Sequence, residues 1–184
     1  MLYVFGFDRV GVVVGDLYFV DPEPAKGQEG AEHGVRMELR LMGRGEPEGS
    51  IYAATPITVD QPVWRADILE AVDGRPFDRT HHHPAFTGWD PIARVFVREL
   101  SADPLGWLGA RLSNLEDLLT EAQLPAETAG PSDAAELRRA ASEIVDVARR
   151  LLDRVRAGEL GNPPRPDQPL AVDGHHGPVR SGWL

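Results

Sequence analysis

The hydrophobic period changes once along this chain, and that change confines it to a fold with a sheet in the first half and helices in the second. Val35, Met37, Leu39 and Leu41 alternate with Arg36, Glu38 and Arg40. A period of two is the mark of a half-buried antiparallel strand with one wet face. From Leu105 the apolar residues instead recur at alternating steps of three and four, through Leu108, Leu112, Leu115, Leu119 and Ala122. That spacing draws the apolar seam of an amphipathic helix.

Before residue 35, LYVFGFDRVGVVVGDLYFV reads as two or three short strands, about 2–7, 10–14 and 17–20, joined by tight turns. Gly6, Gly11 and Gly15 do not form a phosphate-cradling G-x-G-x-x-G and serve turns or bulges. Residues 21–34 form a polar loop and 43–50 a turn, and IYAATPITV is a strand bulged near Pro56. In VWRADILEAV, Trp64, Ala66, Ile68 and Val72 share one face with Glu70, while Arg65 and Asp67 take the other. A carboxylate on an apolar face is costly unless it is paired or used, which marks Glu70 as an informative acid.

Asp103-Pro104 is a helix start, and Pro125 ends that helix. Asp133 with Glu136 reads as a capping box for a second helix, whose seam runs through Leu137, Ala141, Ile144, Ala148, Leu151 and Val155 to a stop at Gly158. The expected architecture is a single α+β domain over residues 1–158. A mostly antiparallel sheet or partly closed barrel occupies 1–75, a helical hairpin occupies 103–158, and a Pro/Gly-rich tail, 159–184, packs back over the body.

Composition narrows the function classes. The 184 residues carry a net charge of -10, which disfavours nucleic acid and anionic membranes as partners. There is no cysteine, so disulfides, thiolate metal sites and cysteine nucleophiles are excluded together. The sequence shows neither a signal peptide nor a long apolar run, and the expected location is cytoplasmic. No G-x-S-x-G is present to support a serine triad.

The chemistry concentrates where the period changes, in FDRTHHHPAFTGWDP. If this piece is extended, as the proline after His83 favours, His81 and His83 share a face and His82 faces away. Two imidazoles with one carboxylate suit a divalent zinc, iron or manganese ion with open positions. The expected metal set is His81, His83 and Glu70, with Glu70 as third ligand or general base and Arg79 holding an anion. Asp78, Asp90, His33, His175 and His176 are further candidate ligands. Without metal, a neutral and a protonated imidazole could work as base and acid, with Arg79 or Arg65 beside them.

PVWRADILEAV, DRTHHHPAFTGWDP and ELSADPLGWLGARL together resemble chains of a GC-rich actinobacterial family that carries no assigned function. The resemblance covers about residues 1–120 and implies no activity, substrate or cofactor. The functional expectation is a His-centred, metal-binding site for a small polar ligand. The alternative is a non-catalytic protein that forms a homodimer or docks a protein partner through its helical seams.

Overall fold

The first seventy residues build one meander because each strand can reach its neighbour through a short connection. The computed structural model describes residues 1–164. Strands β1 (Leu2–Gly6), β2 (Val10–Val20), β3 (Ala31–Arg44), β4 (Ile57–Ala71) and β5 (His81–His83) lie in that order in a single antiparallel sheet. The sheet is open, so the barrel alternative does not form. The 10–20 stretch is one continuous strand, and β3 begins at Ala31 inside the segment expected to be loop. Pro62 lies within β4 at a break in register between Leu39 and Met42, where the missing N–H costs no regular ladder bond. A small separate hairpin, β6 (Phe86–Thr87) with β7 (Asp90–Pro91), follows β5.

Among the described residues four α-helices complete the fold: α1 (Arg98–Ala102), α2 (Pro104–Leu112), α3 (Leu115–Glu121) and α4 (Asp133–Arg156). Asp103 caps α2 through a 3.0 Å bond from the Gly106 N–H, with Pro104 at the first helical position. The seam expected as one helix is broken at Ser113-Asn114 into α2 and α3. Asp133 does not cap α4 as a local box. Its buried carboxylate accepts from the N–H groups of Asp8 at 2.7 Å, Arg9 at 3.1 Å and Gly130 at 2.7 Å, and so ties the β1–β2 turn to the start of α4. Gly158 ends α4 at φ +72°, the left-handed conformation glycine adopts without strain.

The helices cover one face of the sheet. Val12, Val14, Val35, Met37, Leu39, Trp64, Ala66 and Ile68 form a single core with Leu108, Leu112, Leu115, Leu119, Leu137, Ile144 and Leu151. The helical seams are thus consumed inside the chain's own core. These are the seams on which the dimer or docking alternative rested.

The opposite face of the sheet is the one expected to be wet, yet Glu38 and Asp67 are buried there. Residues after β5 fold over it. Val95 exchanges both backbone hydrogen bonds with His82, and Phe86 and Phe96 lie against His83 and His81. Among the described residues no helix is long and apolar enough to cross a membrane. His175, His176 and most of the tail, residues 165–184, lie outside the described residues.

Candidate functional site

The site begins with the return of the chain from β4 to β5. Asp78 is spent on this connection: its carboxylate accepts from the N–H groups of Ala71 at 2.9 Å and Arg75 at 3.3 Å. Thr80 donates its hydroxyl to the Leu69 carbonyl at 3.1 Å. These bonds set a register that pairs His81 with Asp67, His82 with Ala66 and His83 with Arg65. Because side chains alternate across a strand, His81 and His83 join Asp67 and Arg65 on the face away from the helices. His82 points the other way and packs beside the stacked rings of Trp64 and Trp107, with ring centroids 6.2 and 5.2 Å away.

Asp67, His81 and His83 converge. One ligand atom from each lies within 4.8 Å of the others, and all three residues are buried. The Nε2 atoms of the two histidines are 3.1 Å apart, and Asp67 Oδ2 is 3.4 Å from that of His81 and 3.7 Å from that of His83. His81 Nδ1 lies 2.8 Å from the Arg79 carbonyl oxygen. A carbonyl only accepts, so the proton sits on Nδ1 and Nε2 is the ring atom aimed at the cluster. Arg65 Nη2 is 2.8 Å from His83 Nε2. A guanidinium only donates, so His83 Nε2 carries a lone pair.

The electrostatics agree with this proton placement. Burial, followed by the neighbouring Arg65 charge, pushes His83 down to about 3, so it stays neutral at neutral pH. Burial alone would raise Asp67, but the charge and hydrogen bonds of Arg36 and the charge of Arg65 outweigh it and hold the carboxyl well below the usual carboxylate range. Arg36 grips Asp67 with two bonds, 2.7 Å from Nε and 3.2 Å from Nη2. The cluster is thus an ionised carboxylate and a neutral imidazole facing the Nε2 of a second imidazole across 3.1 Å. Such converging electron pairs repel unless a proton or a cation sits between them, and this group is able to hold a metal ion.

Other residues expected at the site stand elsewhere. Glu70 lies on the helix side of β4, opposite His81 and His83 in parity, where Arg156 of α4 donates to it at 3.1 Å from Nε. That ion pair answers the cost of a carboxylate on an apolar face. Asp67 takes the position beside the histidines where Glu70 was expected. The Arg79 guanidinium is turned to the carbonyls of Gly27 and Glu29 in the β2–β3 loop, and the residue meets the cluster through its own backbone carbonyl. Asp90 is exposed on β7, and His33 faces Glu70 across β3 and β4. Asp67 was visible in the sequence only as a member of a face taken to be wet. The usable signal was complementary alternation, Arg36-x-Glu38-x-Arg40 on one strand and Arg65-x-Asp67 on another, which suits charge pairing across two neighbours. Compared with protein-family models, curated proteins and solved structures, the chain matches none.

Proposed function

We propose that this protein binds a divalent metal ion through Asp67 Oδ2, His81 Nε2 and His83 Nε2, and that a small polar ligand completes the coordination. One observation carries the reading: three buried ligand atoms from three residues lie within 4.8 Å of one another. The supporting chemistry is that two of them are in the protonation state a metal requires, and the third is turned inward by a bond on its far ring nitrogen. Two imidazoles and one carboxylate suit zinc, iron(II) or manganese, and leave a position for an outside ligand.

The test is elemental analysis of tag-free protein, followed by unfolding with and without added zinc, manganese or iron(II). A bound ion stabilises the fold by about 2.7 kcal/mol at a free concentration one hundred times Kd. A chelator should reverse the gain, and the double variant His81→Ala, His83→Ala should show none. Protein that purifies without metal and gains no stability from any of the three ions would overturn the reading.

A further inference from the structure

The hydrogen-bond donors around this group are not all met, and the unmet one points to what the outside ligand is. On the face of the sheet away from the helices, Asp67 is matched by Arg36, and Glu38 is matched by Arg40 at 2.7 Å. Arg94, farther along the same face, is matched by Asp21 at 3.4 Å. Arg65 is left over. Its Nε lies 3.1 Å from Asp67 Oδ2, an ion-pair distance, but makes no hydrogen bond there and is buried without another partner. Its Nη2 is satisfied only by His83 Nε2, the same lone pair that a metal ion would take.

A divalent ion here therefore does two things. It adds two positive charges beside the Arg65 guanidinium and competes with it for Asp67, in a place where uncompensated charge is costly. It also deprives Arg65 Nη2 of its acceptor. Nε and Nη2 form one edge of the planar guanidinium, and Phe86 fixes that plane from 5.6 Å. Two parallel N–H groups on one edge match two oxygens of one anion.

We propose that the outside ligand of this site is an oxyanion, a carboxylate or a phosphate, that places one oxygen on the metal and donates its charge to the Arg65 edge; this rests on the metal-binding reading above. The role of Arg65 is recognition of charge and of the paired oxygens. A neutral polar ligand of the same size leaves the surplus positive charge in place and binds weakly.

Cobalt(II) binding to the full chain, followed by calorimetry and by visible absorption in a non-coordinating buffer, tests this. The titration is run with cobalt alone, then with acetate, with inorganic phosphate and with acetamide as the uncharged control. The expected result is at least tenfold tighter cobalt binding with acetate or phosphate, a changed cobalt spectrum, and no effect of acetamide. A gain from acetate alone assigns a carboxylate, and one from phosphate alone assigns a phosphate. Arg65→Met should bind cobalt and lose the gain. Arg65→Lys, which keeps the charge but not the paired donors, serves if the methionine variant does not fold, and should lose most of it. Cobalt binding that ignores the anions, or a gain that survives in the Arg65 variants, overturns the oxyanion proposal and leaves the metal reading standing. No cobalt binding with or without anion overturns both.

Discussion

His82 and His83 sit one residue apart on opposite faces of the sheet, yet each is buried and held below its ordinary value. His82 is pushed to about 4 by burial first and then by the charges of Arg111 and His81, and His83 to about 3. The sign of the pH dependence follows directly. Between the unfolded value, about 6.5, and these folded values, the unfolded chain binds more protons, so stability falls as pH falls. The loss begins near pH 6.5, continues toward pH 3, and reaches up to about 1.4 kcal/mol per pH unit for each histidine. Urea unfolding in the presence of a chelator, repeated across this range, measures it. His83→Gln should reduce the slope by about half, and a profile flat from pH 7 to 4 would contradict the burial of both rings as neutral imidazoles.

At the scale of elements, the site depends on how closely β3 and β4 lie together, because that contact aligns Arg36 with Asp67. At Gly34 the two backbones lie too close together to admit a side chain. This glycine has φ +152°, and a Cβ added there would sit 2.0 Å from the Ile68 carbonyl oxygen, a backbone atom that cannot swing aside. Gly34→Ala should therefore cost about 2 kcal/mol or more, since β3 must shift or the ladder must break. Thermal unfolding reads the loss, and a weakened metal affinity should accompany it. A variant as stable as the parent would show that the strands can separate without cost. The β4 pattern was legible in the alternation of Trp64, Ala66 and Ile68 with Arg65 and Asp67, because period two is a local property of the chain. The burial of the polar face was not legible, because it comes from residues 84–97 folding over it, and their sequence has no period to announce that.

For the whole molecule, the question is where the helical seams go. Leu112 is 1% exposed and packs in the same core as Met37 and Trp64. Leu112→Ala should thus cost about 2–5 kcal/mol of stability through a cavity in this core. The mass measured by light scattering should be unchanged from the parent's. A fall in mass with stability preserved would instead place Leu112 between subunits.

The sequence by itself determined the α+β division, the antiparallel sheet, the start of α2 at Asp103-Pro104, the end of α4 at Gly158 and the split of the histidines into His81 and His83 against His82. All of these follow from neighbours within about four positions, the range over which periodicity, caps and strand parity act. Only the tertiary structure decided that Asp67 stands beside the histidines and that Glu70 is held by Arg156, more than eighty residues away. Both acids lie on β4, three positions apart, so parity puts them on opposite faces. Which face meets the histidines is set by the β4–β5 register, and that register is fixed by the bonds of Asp78 and Thr80 in the connection between the two strands.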